Sequence, residues 1–117
     1  MEEIMEEVMT DAQFKRSFAQ AGGWFILCAL EELIAYKKLY YHEKGSRREM
    51  EEKIAQKYGR ELSTMAYRIK HARKIIKHKR HKEAVEKARD STKLNRIYPQ
   101  AREVAERLLL KIEQGKL

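Results

Sequence analysis

The sequence predicts an all-α fold, a compact bundle of about five to six helices containing a helix–turn–helix, and three observations carry that expectation. Apolar residues recur at helical spacing, as in Met65, Ile69, Ala72 and Ile76. No alternating apolar–polar run of the kind a half-buried strand needs appears anywhere. The punctuation at Gly22-Gly23, Gly59 and Pro99 falls where helices stop or start. At 117 residues the chain suits one domain, with a core that needs no staples.

The elements follow in order. Glu2 to Gln20 reads as one amphipathic helix or two short ones, with Ile4, Met5 and Val8 on one stripe and Phe14 and Phe18 a turn apart. The glutamates near its start suit the positive end of a helix dipole. Gly22-Gly23 breaks the pattern. Trp24 to Tyr41 is the most hydrophobic segment, apolar on all sides in its first half, which places it in the middle of the domain. Its aromatics, Trp24, Phe25, Tyr36, Tyr40 and Tyr41, fit a core better than a stacking platform for single strands. Glu43 to Arg47 is a short loop with Ser46 as a cap. Arg48 to Tyr58 then puts Met50, Ile54, Ala55 and Tyr58 on one side of a helix. Gly59 stops it, because glycine accepts a left-handed conformation cheaply, and Ser63 is the expected N-cap of the next helix.

That second helix has an inside and an outside. Met65, Ile69, Ala72 and Ile76 form the buried stripe. At about 100° per residue, the opposite face carries Ser63, Tyr67, Lys70, His71, Lys74 and His78. Beyond Ile76 the periodicity weakens, so the helix either stops near His81 or continues to about Ala88. Asp90 to Asn95 reads as loop. Tyr98-Pro99 opens a last helix, whose apolar face of Ala101, Val104, Ala105, Leu108 and Ile112, widened by Leu109 and Leu110, leaves area for a homodimer.

Charge narrows the function. The formal net charge is +8, which points to an acidic partner. Arg68 to Lys82 holds eight Lys or Arg, three His and no Asp or Glu, while the other 18 basic residues balance the 18 acids of the chain. Trp24 to Leu30 is the longest apolar run and is too short to cross a bilayer, so no membrane partner is expected. The acidic start MEEIMEEV lacks the basic region of a signal peptide. A single cysteine, Cys28, allows no internal disulfide and fits a reducing cytoplasm. Catalysis finds no footing. His42, His71, His78 and His81 lack the cysteine or acidic partners of a zinc site. Gly22-Gly23 is no phosphate loop, and Ser63 has no base oriented by a carboxylate. Neither an enzyme, a metal nor a cofactor is expected.

Three blocks resemble a known family, the C-terminal DNA-binding (effector) domain of the stage zero sporulation protein A family of Firmicutes. Gly23-Trp24-Phe25-Ile26-Leu27 is similar to the Gly-Tyr-x-Tyr-Leu that opens that family's second helix. Ile54-Ala55-Gln56-Lys57-Tyr58 is similar to its Ile-Ala-Lys-Lys-aromatic helix. Ser63 to Ala72 aligns with its recognition helix without a gap, with Ile69-Lys70-His71-Ala72 against Ile-Arg-His-Ala. Arg102 to Leu108 resembles its last helix more weakly. The resemblance implies about six helices that read duplex DNA, often as a tandem pair, with groove-facing roles at Ser63, Thr64, Tyr67, Lys70 and His71. The chain departs from the pattern at Thr64 and Ala66, where the family has arginine and glutamate, at Tyr67, where it has arginine, and at Cys28-Ala29, where it has an Arg-Glu pair. The implied target sequence therefore does not transfer, since threonine and alanine cannot make bidentate contacts to bases. The chain also leaves no room for that family's receiver domain.

The expected function is a sequence-specific, double-stranded DNA-binding transcriptional regulator whose basic second helix, within a helix–turn–helix at about 48–80, enters the major groove. Tyr67, Lys70 and His71, with Ser63 and Thr64, are expected at the bases. Lys74, Lys77, Lys79 and Arg80 are expected at phosphates, and Arg68 and His78 are expected among the DNA-binding residues. The competing expectation is a protein-binding module or antagonist that keeps the fold and binds a related regulator or RNA polymerase. RNA fits less well, because its deep A-form groove would not admit this helix.

Overall fold

Thr10 begins the first helix with a full capping box: its hydroxyl accepts from the Gln13 amide, and the Gln13 side chain accepts from the Thr10 amide. That helix, α1 (Asp11–Ala21), is the first of seven in the computed structural model, which describes residues 8–40 and 46–117. α2 (Gly23–Tyr40), α3 (Ser46–Tyr58), α4 (Leu62–Lys77), α5 (His81–Arg89), α6 (Thr92–Ile97) and α7 (Ala101–Glu113) follow, with no strand among the described residues. The all-α bundle is the architecture found. Ile4 and Met5 of the expected first stripe, and positions 43–45 of the expected loop, lie outside the described residues. Val8, expected on that stripe, is exposed and precedes α1, which starts only after the Thr10 cap. Ser46, expected as a cap, is the first residue of α3.

α2 is the central helix, as its all-round apolar first half predicts. Phe25, Ile26, Leu27, Ala29, Leu30 and Leu33 are buried, and the helix packs against α1, α3, α4, α5 and α7. Its glutamates Glu31 and Glu32 pair with Lys111 of α7 and Lys57 of α3 on the surface. The core is completed by Ile54 of α3, Met65, Ile69 and Ile75 of α4 and Val85 of α5, all essentially inaccessible to water. Truncating one of the larger of these to alanine costs about 2–5 kcal/mol.

Two turns position α4. Between α1 and α2 the chain bends by 91° at Gly22, whose φ of +88° suits glycine. A Cβ there would also lie 2.7 Å from Arg68 Nη1, which reaches across to the Ala21 carbonyl. Between α3 and α4, Gly59 takes φ +61°. The Gly59 amide donates to Gln56 O at 3.2 Å and the Arg60 amide to Ala55 O at 3.0 Å, which satisfies the last carbonyls of α3. The helix–turn–helix is therefore built from α3, the turn 59–61 and α4.

The start of α4 corrects one expectation. Glu61, not Ser63, occupies the N-cap and makes no side-chain capping bond. Leu62 is drawn against the core, so the helix begins early and Ser63 becomes an outward-facing residue of its first turn. The end decides between the two expected alternatives in favour of the stop. α4 stops at Lys77 and α5 is a separate helix, because Ala84, Val85 and Ala88 need a different direction to reach the core. The stop is the same hydrogen-bonded motif as at Gly59, built here on Lys79 at φ +57°: Lys79 N–H donates to Ile76 O and Arg80 N–H to Ile75 O, both at 3.0 Å. A left-handed lysine is strained, so Lys79→Gly should stabilise the protein by about 1 kcal/mol, read as a higher urea midpoint.

The segment expected as loop at Asp90–Asn95 contains α6 instead. Polar bonds hold it: the Ser91 hydroxyl accepts from the Leu94 amide, and the Asn95 side chain donates to the carbonyls of Arg89 and Ser91. Such a helix leaves no apolar stripe to read. Tyr98-Pro99 precedes α7 as a turn and does not open it, since Gln100 is the N-cap. In α7, Ala101, Ala105, Leu108 and Leu109 are buried and Val104 and Ile112 half-buried, so its broad stripe is largely used within the chain.

Candidate nucleic-acid interface

α4 contains no acid between Leu62 and Lys77. α3 packs against one of its flanks and α1 against another, while Met65, Ile69, Ala72, Ile75 and Ile76 face the core. What remains outward is Ser63, Thr64, Tyr67, Lys70, Lys74 and Lys77, all exposed. These residues are the part of the predicted site that the fold brings together.

Three predicted contacts belong elsewhere. His71 was expected to face the groove; it is only 6 % exposed, because α1 covers that edge of α4. Its Nδ1 lies 3.3 Å from Ser17 Oγ of α1. Burial first, then the charges of Lys74, Lys70 and Arg16, push its pKa down, so the ring is neutral. The Tyr67 ring meets the His71 ring edge-on, with centroids 4.7 Å apart. His71 thus supports Tyr67 from beneath and does not itself reach outward. Arg68 was expected among the DNA-binding residues; it is half-buried and donates to the Ala21 carbonyl at 3.0 Å, which ties α4 to the α1–α2 elbow. Arg80 was expected to hold phosphates; its side chain is only 16 % exposed. It bonds the carbonyls of Met9 and Thr10 and the carboxylates of Asp11 and Glu83, over the Phe14 ring. The carboxylates neutralise it, so it clamps the start of α1 to the α4–α5 junction. His78 is half-buried at the C-cap of α4, and Lys79 is exposed just beyond it.

Two residues of α1 join the face that the sequence alone did not assign. Gln20 lines a hollow of about 470 Å³ with Ser63, Thr64, Tyr67 and Arg68. Arg16 is exposed and close enough to depress His71. They lie one turn apart on α1 on either side of Ser17, a pattern that gains meaning only once Ser17 is seen to dock on His71.

The state of His71 gives a pH dependence. Above its ordinary pKa of 6.5 the ring is neutral in both folded and unfolded chains. As pH falls below that value, the unfolded chain binds the proton first, because the folded pKa is depressed. Stability is therefore lost progressively, at up to about 1.4 kcal/mol per pH unit, until the folded ring also protonates. Urea unfolding at pH 7.5 and pH 5 should show this loss, and His71→Gln should remove that part of it.

Among the described residues no three of His, Cys, Asp and Glu gather into a metal-binding group, and no single helix is long and apolar enough to cross a membrane. No protein-family model, curated protein or solved structure matches the chain. The likeness to the sporulation regulator's effector domain rests on its residue blocks.

Proposed function

We propose that the protein is a sequence-specific double-stranded DNA-binding transcriptional regulator that lays α4 in the major groove. The observation that carries this reading is the outward face of α4, uniformly free of acid, on the second helix of a helix–turn–helix. The 16 residues of α4 extend about 24 Å, and the face is lined by hydroxyl, aromatic and ammonium groups from end to end. Tyr67 and Lys70, with Ser63, Thr64 and Gln20 near the N-terminal end, are the groups for base edges. Lys74, Lys77 and Arg16 supply phosphate contacts. His71 acts as a positioning residue beneath Tyr67. Thr64, Ala66 and Tyr67 set a target different from that of the sporulation regulators the chain resembles. On this reading the protein works beside the chromosome, in the cytoplasm. A second copy would use what α7 leaves outside, chiefly Leu110, which is 55 % exposed.

Selection of the purified protein against random duplex DNA, followed by titration at two salt concentrations, tests the reading. An enriched motif bound far better than scrambled DNA at the higher salt supports it. Weak, steeply salt-dependent binding with no motif overturns it and makes the α4 face a general electrostatic surface.

A further inference from the structure

We propose that a cleft beside the helix–turn–helix is a binding site for a small organic anion with a flat aromatic body. The cleft, about 600 Å³, opens between the α1–α2 elbow, the α3–α4 turn and α6. That volume is typical of sites for small organic ligands. Its lining holds three cations, Arg60, Arg68 and Lys93, and no carboxylate. The half-buried Arg80, by comparison, is neutralised by Asp11 and Glu83. Here Arg60 and Lys93 are exposed and form no ion pair with another described residue. Arg68 is fixed at the wall by its bond to Ala21 O.

The rest of the lining is aromatic and apolar. Trp24 stacks on Tyr98 with centroids 4.4 Å apart and planes within 6°, and Phe25 and Tyr58 meet edge to face at 5.8 Å. Burial raises the Cys28 thiol and keeps it neutral despite nearby Lys57. Flat apolar walls with unopposed cations recognise an amphipathic anion such as an aromatic carboxylate: the ring displaces water from the aromatics, and the charge meets the guanidinium and ammonium groups. A cationic ligand is repelled, and a bare inorganic anion gains nothing from the walls. The first turn of α2 also lines the cleft, which adds the positive end of a helix dipole. Arg68 lines both this cleft and the hollow on the outward face of α4, so an occupant that engages Arg68 acts on a side chain bordering the DNA-reading surface. That consequence rests on the proposed function; the binding itself does not.

The test is a titration of 1-naphthoate into the full chain without DNA, at 0.15 M salt (about physiological), followed by amide and indole NMR shifts. Saturable shifts centred on Gly22, Gly23, Trp24 and Leu94 are expected, with a dissociation constant of about 1 mM or below. Neutral 1-naphthalenemethanol should bind about tenfold more weakly. Ile97→Glu, at an exposed position of the lining, should weaken naphthoate about tenfold and leave the alcohol unchanged. The paired change Arg60→Gln and Lys93→Gln should do the same, and both variants alter exposed residues, so thermal melts should match the parent. Absence of saturation, or equal binding of the alcohol, overturns the proposal. Shifts centred on Lys74 and Lys77 would assign the anion to the α4 face and also overturn it. Equal shifts at the same residues with inorganic phosphate would overturn the aromatic half.

Discussion

Replacing Lys74 and Lys77 together with alanine should weaken binding to every duplex roughly 30-fold at about 0.15 M salt and flatten the log affinity–log salt slope by about two units. Both ammonium groups are exposed on the outer face of α4 and pair with no described carboxylate. Each is thus free to displace a condensed counterion from a phosphate. Because a phosphate contact carries no sequence information, selected and scrambled duplexes should lose affinity in proportion. Tyr67→Ala should behave differently. The ring is held by His71 and presented on the face, so its loss should erode the preference among sequences and leave the salt slope unchanged. Fluorescence anisotropy with both duplexes at several salt concentrations separates the two effects. An unchanged slope in the double lysine variant, or equal loss of preference in both variants, would sink the division of labour.

The way these residues divide shows what a sequence can reveal here. Features set by neighbours within a turn or two were legible: the stop at Gly59, the elbow at Gly22-Gly23, and the stripe from Met65 to Ile76, all of whose members are buried. What was not legible depends on which helix covers which edge. On a helical wheel His71 sits beside Tyr67 and looks equally outward, yet α1 passes over it and leaves Tyr67 exposed. Arg68 and Arg80 counted towards the basic window of Arg68 to Lys82, but charge counting cannot tell a solvated guanidinium from one that stitches two elements together. The docking of α1 decides both cases. It removes three basic side chains from the predicted site and contributes Arg16 and Gln20. α6 escaped notice for a different reason, since hydroxyl and amide bonds at Ser91 and Asn95 replace the apolar periodicity a reader looks for.

Arg80→Ala should lower stability by about 2–3 kcal/mol, with little effect on DNA affinity below the melting transition. Every guanidinium nitrogen has an acceptor: Nε on Glu83, Nη1 on the Met9 and Thr10 carbonyls, and Nη2 on Asp11 and Glu83. The plane also lies 4.3 Å above the Phe14 centroid, which adds a cation–π contribution. Truncation removes all of these bonds together, leaves a half-lined space beside Phe14, and frees the start of α1 from the α4–α5 junction. Asp11→Asn should cost far less, because that carboxylate is 90 % exposed and its exchange with water is cheap. Arg80→Lys should recover only part of the loss, since a single ammonium cannot reach carbonyls and carboxylates in one plane. Urea unfolding of the three variants gives the order directly. A phosphate-binding Arg80 would produce the opposite result, unchanged stability with a shallower salt slope, and its position beneath α1 leaves that outcome no structural basis.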